Sequence, residues 1–266
     1  MGAPSVLFSV SAWLATLIVI AVCLVAAEVG YRLGRRGTAS GVAKREHLGA
    51  VQAAAAALLG LLLAFSVSMA VSRFETRKAA VVDEANAIGT AHLRASFLPA
   101  RERVAAEELF GRYVETRLEL ARPDWYLAGA HDLLVQEREL QDELWALGVG
   151  VAEEDPRAVT TGLYMEALNE MIDSAARRDA GLRNHVPESI IVMIFGVAVL
   201  TLGVMGYSSG LTGGRSLVAG LILSFIIAAV LFVILDFDRP YRGIITVSQL
   251  SMEEVKDAIS RGLPLP

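Results

Sequence analysis

The sequence predicts an all-α membrane protein with four transmembrane helices and a helical extramembrane domain inserted between the second and third. Three observations carry that expectation. Of 266 residues, 54% are hydrophobic and only 7% aromatic, which is more apolar surface than a soluble domain of this size can bury. Four uncharged stretches reach the ~20 residues that a helix needs to cross a bilayer. Between the second and third lies a charged segment whose prolines, Pro99, Pro123, Pro156 and Pro187, are spaced like helix punctuation.

The four stretches are Val6–Ala27, Leu48–Ser72, Ser189–Gly214 and Ser216–Leu235. Val6–Ala27 lacks a basic leader and its apolar core is too long for a signal peptide, so it reads as a retained membrane helix. Lipid offers the backbone no hydrogen-bond partners, so helices are the economical solution for all four. The resulting segments are 1–72, with helices one and two; 73–188, the helical domain; 189–235, with helices three and four; and a tail, 236–266, expected to pack near the membrane interface. The stretch GYRLGRRGTASGVAKREH is expected to turn between the first two helices. YSSGLTGGR is expected to turn between the last two, with Gly206, Gly210, Gly213 and Gly214 supplying backbone freedom.

Arg73–Glu188 carries 14 basic and 22 acidic residues and is rich in Ala, Glu, Leu and Arg. Expected helices are Arg73–Phe97, Ala100–Leu120, His131–Leu147 and Pro156–His185. Leu109, Tyr113, Thr116 and Leu120 share one face at helical spacing. No breaker separates Leu48–Ser72 from Arg73–Phe97, so one helix is expected to run from lipid into water.

Several functions find no support. A net charge of −5 gives no reason to expect nucleic acid. The single cysteine, Cys23, excludes disulfide frameworks, and the four histidines are scattered without metal-ligand spacing. No nucleophile, base and oxyanion donor come together, so no catalytic set, no metal site and no cofactor is expected. Glu166, Glu170 and Asp173 stand at i, i+4, i+7. They could offer carboxylates to a cation, but a solvated face supported by Arg177 is the favoured reading.

The second membrane helix is more specific. Ala57, Leu61, Phe65, Ser68 and Ser72 lie along one side, apolar at mid-bilayer and hydroxylated toward the polar domain. Packing against a neighbouring helix accounts for such a face. So does the lining of an axial pore in a ring of subunits, with an apolar constriction. In LDFDRPYRG, Asp236 and Asp238 mark the end of the last helix, followed by Arg239 and Pro240. Local ion pairs at an interfacial anchor, or pairing with Arg73 or Arg77, are the two readings. Asn86 and Thr90, one turn apart in EANAIGT, are expected as structural polar residues satisfied in the core or between subunits. Counting basic residues near the membrane ends, six on one side against eight on the other, leaves the sidedness undecided.

LLGLLLAFSVSMAVSRFETRK, EANAIGTAHLRASFLP, ALNEMIDSAARR, HVPESI and LDFDRPYRGIITVSQ, in this order, resemble the bacterial bestrophin-like four-helix membrane proteins and, more distantly, the bestrophin anion channels. The resemblance implies a homo-oligomer, pentameric in bestrophins, whose second helix lines an ion pathway. It puts the neck on Ala57, Leu61 and Phe65, with an alanine where a bulky side chain is expected. It places Arg73 where the helix emerges from the membrane, anions as the expected cargo, and the protein in the lipid of the bacterial inner membrane with its helical domain cytoplasmic; Arg73 and Arg77, directly after the shared face, are expected to raise the local anion concentration at the pore mouth. The alternative is a non-conducting scaffold or sensor whose helical domain binds a protein or ligand.

Overall fold

The computed structural model describes residues 12–36, 42–122, 130–154, 159–214, 217–239 and 243–262. Among the described residues every regular element is a helix: α1 (Ala12–Arg36), α2 (Val42–Ala95), α3 (Ala100–Glu119), α4 (Ala130–Glu154), α5 (Val159–Arg183), α6 (Glu188–Thr212), α7 (Leu217–Phe237) and α8 (Leu250–Arg261). Among the described residues, four helices are long and apolar enough to cross a membrane. The chain divides into two compact units, residues 1–72 with 185–239 and residues 73–184 with 240–266. The helix α2 is unbroken for 54 residues and contributes to both. It contains neither proline nor a residue of positive φ, so nothing interrupts its hydrogen-bond ladder.

In the first unit α1 packs on α6 and α7. Cys23, Leu59, Ile194, Leu202, Ile227 and Ile234 form its core. Leu17, Leu200 and Phe225 point outward at 63%, 67% and 65% exposure, as lipid-facing side chains must. Hydroxyls in the apolar segments bond to their own helix: Ser66 Oγ donates to the Leu62 carbonyl at 2.8 Å and Thr201 Oγ1 to the Val197 carbonyl at 2.7 Å.

Two expected turns are shorter than the glycine pattern suggests. Gly30 and Gly34 lie inside α1, and Gly206 and Gly210 inside α6. These glycines are packing residues: a Cβ on Gly206 would collide with the carbonyl oxygen of Ala27, and one on Gly30 with that of Gly203. The two backbones therefore approach as only small residues allow, which is how helices associate where lipid removes the hydrophobic drive. Gly213, at φ 76°, is the residue that ends α6 in the left-handed conformation.

In the second unit α3 packs on α4 and α8, and α4 on α5. Its core contains Ile88, Phe110, Tyr113, Leu140, Leu144, Tyr164, Leu168 and Met171, with Met252 and Val255 inserted from α8. Leu109, Tyr113, Thr116 and Leu120 are all buried, as their shared face predicts. The expected stop at Leu147 is not observed. α4 continues to Glu154 through Gly148, where a Cβ would strike the Met165 sulfur, so that glycine too serves close packing. Pro156 lies outside the described residues.

A buried ionic cluster ties the second unit together. Arg117 of α3 donates to both carboxylate oxygens of Glu84 in α2, at 2.5 and 3.1 Å, to Glu137 of α4 at 2.9 Å, and to Asp179 of α5 at 3.3 Å. Arg178 of α5 donates to Glu84 at 2.6 Å and to Gln249 Oε1, just before α8, at 2.7 Å. One cluster thus joins α2, α3, α4, α5 and the segment that leads into α8.

Candidate functional site

At about 100° per residue, Ala57, Leu61, Phe65, Ser68, Ser72, Glu75, Ala79, Asp83, Asn86, Thr90 and Leu93 fall within about 80° of arc on α2. Every one of them is exposed in the chain, Leu61 at 53% and Phe65 at 65%. Around the helix from this arc, Leu59, Leu63, Ser66 and Ala70 are buried in the first unit, and Arg77, Val81, Glu84, Ile88, Ala91 and Ala95 in the second. This face stays exposed along the helix, together with flanking residues such as Leu58, Lys78 and Val82, while the opposite side is used for packing. The chemistry of the arc changes in order: apolar at Ala57–Phe65, hydroxylated at Ser68 and Ser72, then charged and polar from Glu75 to Thr90.

The five residues expected along a pore or a packing seam therefore share an open face, and packing within the chain does not account for it. The two expected mouth charges do not join it. Arg77 is 2% exposed, and its guanidinium donates to the carbonyls of Gly181 at 3.1 Å and Asn184 at 2.9 Å. It caps the last turn of α5, where carbonyls lack intrahelical partners, and its charge is not on display. Arg73 donates to the Asn184 side-chain oxygen. The helical angle holds the reason: both arginines stand roughly 80° or more beyond the edge of the open arc.

Of the two places expected for Asn86 and Thr90, the core of the chain is not where they lie. Both are exposed, and the Thr90 hydroxyl donates to the Asn86 carbonyl of its own helix at 2.9 Å. With Asp83 they line a groove between α2 and α5, whose far wall carries Glu170 and Arg177 in a mutual ion pair. The acidic row of α5 is a partnered face: Glu166 pairs with Arg94 at 3.3 Å, Glu170 with Arg177, and Asp173 accepts from Asn169 at 3.3 Å. Arg177 does support the row, but through Glu170 rather than Asp173.

Asp236 and Asp238 are buried, at 3% and 1% exposure. In the first unit Asp238 accepts the Val186 backbone N–H at 3.0 Å and stands 3.3 Å from His185 Nδ1. It thereby holds the non-helical segment that precedes α6. Arg239 follows at the end of the described stretch.

Around Glu84 the electrostatics oppose one another. Burial would raise its carboxyl, but Arg117 and Arg178 outweigh that effect and hold it below the usual carboxylate range. Glu137 goes the other way. Burial, with Asp179 and Glu84 nearby, pushes it up despite its bond to Arg117. Three carboxylates stand around two guanidinium groups, one negative charge in excess. No sequence spacing marked this cluster, because its members come from separate helices.

A family model described as the Bestrophin-like domain matches residues 17–252. Crystal structures of a bacterial bestrophin homologue from Klebsiella pneumoniae share the fold. One has 14% identity, covers 92% of this chain and 94% of that one, and has a TM-score of 0.61. A single-residue variant of it has 14% identity, coverage of 94% and 96%, and a TM-score of 0.63. A second variant has 15% identity, coverage of 92% and 95%, and a TM-score of 0.61. No curated protein matches the chain by sequence.

Proposed function

This chain belongs to the Bestrophin-like family, and from that membership we propose that it is a homo-oligomeric ion channel whose α2 helices surround the pathway. The observation that carries the proposal is the open arc of α2, apolar in its membrane half and polar beyond it. In a closed ring of subunits, five by the family pattern, this arc faces the axis. Leu61 and Phe65 then form an apolar constriction that resists wetting, and Ala57 leaves a wider opening on its far side. Ser68 and Ser72 line the path where it widens. Arg73 stands near the mouth but off the arc, and Arg77 is withdrawn from that role by its burial. The anion preference expected from these two arginines therefore loses its main support. The protein resides in the bacterial inner membrane, with lipids around its outer face and the helical unit in the cytoplasm.

Flux through the purified full-length protein in liposomes tests this reading. Wild type is expected to pass ions, and Phe65→Ala, which removes the larger constriction side chain, to pass them faster. No flux in either, from protein that is folded and oligomeric, overturns the channel reading in favour of a non-conducting scaffold or sensor. A reporter fused to the C-terminus and active only outside the cytoplasm tests the sidedness; activity there overturns the cytoplasmic assignment.

A further inference from the structure

Toward its end, α1 carries an exposed face that changes abruptly from apolar to cationic. Val25 and Val29 are exposed there, and with Leu24, Glu28 and Arg32 they line an open hollow of about 380 Å³. Arg35 and Arg36, both exposed, follow in the last turn of the helix. At about 100° per residue, Val25, Glu28, Val29, Arg32, Arg35 and Arg36 fall within about 120° of arc. One stripe of helix surface therefore joins an apolar trough to three guanidinium groups.

The depth of this stripe follows from the other end of the helix. Trp13 packs its ring on Phe232, centroids 4.7 Å apart, and tryptophan favours the membrane–water interface. Arg32 lies roughly 28 Å further along the helix axis, close to the thickness of a hydrocarbon core. The guanidinium groups thus stand at headgroup level and the trough beside the acyl chains. Glu28 is the only charged residue between Trp13 and Arg32. Its carboxylate accepts from Arg32 Nε at 2.8 Å, a pairing that a charge at this boundary requires. Arg32 spends Nε on that bond, which leaves both terminal nitrogens for a phosphate, the group that the arginine fork fits. Among the described residues of this face, three positive charges stand against one negative. A water-soluble phosphate would meet the charges and leave the trough bare, whereas a phospholipid fills both.

We propose that this face of α1 binds an anionic phospholipid of the surrounding bilayer, with its phosphate on Arg32 and Arg36, seconded by Arg35, and an acyl chain along Leu24, Val25 and Val29. Selection is for negative headgroups, because a neutral lipid offers the same chain to the trough but no net charge to the arginines. Each basic residue near a membrane surface strengthens the attraction to anionic lipid by about fivefold. Glu28 opposes that attraction and limits it.

Native mass spectrometry of the full-length protein tests this, with the protein released from micelles that hold equal amounts of phosphatidylglycerol and phosphatidylcholine. Wild type should retain phosphatidylglycerol in about tenfold excess or more. Arg32→Gln should lower that excess by about fivefold, and Arg32→Gln combined with Arg36→Gln should bring the ratio close to one. Glu28→Gln should raise the excess, a shift in the direction that general loss of structure would not produce. Arg101→Gln, an exposed change on α3, should leave the ratio unchanged. Glycerol phosphate added at millimolar concentration should not displace the lipid. Equal retention of the two lipids by wild type overturns the inference, as does a folded double variant that keeps the wild-type ratio. Displacement by glycerol phosphate overturns the assignment to a lipid in favour of a soluble phosphate.

Discussion

Arg117 grips Glu84 through two nitrogens, at 2.5 and 3.1 Å, with the arginine side chain 2% exposed and the glutamate fully buried. This pair joins α2 to α3 in the middle of a helical unit, and Arg178 closes on the same carboxylate from α5. Breaking a buried pair leaves its partner charged and unsolvated, at a cost of about 3–5 kcal/mol. Arg117→Met and Glu84→Gln are therefore each expected to destabilise the extramembrane unit by roughly that amount. The double variant should lose less than the sum of the two. Thermal unfolding in detergent, followed by circular dichroism, measures this, and additivity would show that the pair is not coupled.

Acid and neutral pH should act on this cluster with opposite signs. Glu84 has a lowered native pKa, so its contribution is present above the ordinary carboxylate range and is lost as pH falls through the native value. Glu137 has a raised native pKa, so its contribution is full below the ordinary range and is lost as pH rises through the native value. Glu137→Gln resembles the protonated side chain. It is expected to be at least as stable as wild type at pH 7, with the difference shrinking toward pH 4. A variant less stable at pH 7 by more than about 1 kcal/mol, a typical net hydrogen-bond contribution, would contradict this.

Arg77→Met is expected to cost about 1–3 kcal/mol, because the carbonyls of Gly181 and Asn184 lose their donor at the end of α5. Ion selectivity should not change, since the guanidinium is buried. A reversal potential displaced in this variant would restore Arg77 as a charge acting on the pathway.

Close approach of α1 and α6 gives a prediction for the membrane unit. Gly206→Val must push its side chain into the Ala27 backbone, which cannot yield as a side chain would. The cost should exceed the ~1–3 kcal/mol of ordinary overpacking, and folded protein should be lost from detergent extracts. Gly196→Ala, on the same helix with nothing within 4 Å of the new methyl, should be recovered at wild-type level.

Ala57→Leu fills the position where α2 departs from the bulky neck of bestrophins. If the open arc lines the pathway, ion flux should fall by about tenfold or more as a third apolar ring lengthens the constriction. Flux at wild-type level would move Ala57 away from the axis.

Much of this molecule was legible in its sequence. The four apolar stretches, the lack of a breaker across Ser72 and Arg73, and the shared face of Leu109, Tyr113, Thr116 and Leu120 each rest on a local rule. Chain length against bilayer thickness and a 3.6-residue period need no knowledge of what lies opposite. The open arc of α2 was legible too, since its membrane half follows from the same period. That Arg77 lies off the arc could have been read by carrying the angle forward from Ala57.

Other features depended on which helix stands against which. Glycines at 30, 34, 206 and 210 fall in stretches expected to turn, and only the meeting of α1 with α6 makes them contact residues. Glu84, Arg117, Glu137, Arg178 and Asp179 read as ordinary charges on a solvated domain until four helices bring them together out of water. Sequence alone determined which segments are helical and which of their faces are apolar, because backbone hydrogen bonding and side-chain period are properties of the segment. Tertiary structure decided which polar groups are spent on packing and which remain on the open face, because burial and charge pairing are properties of neighbours that the chain order does not name.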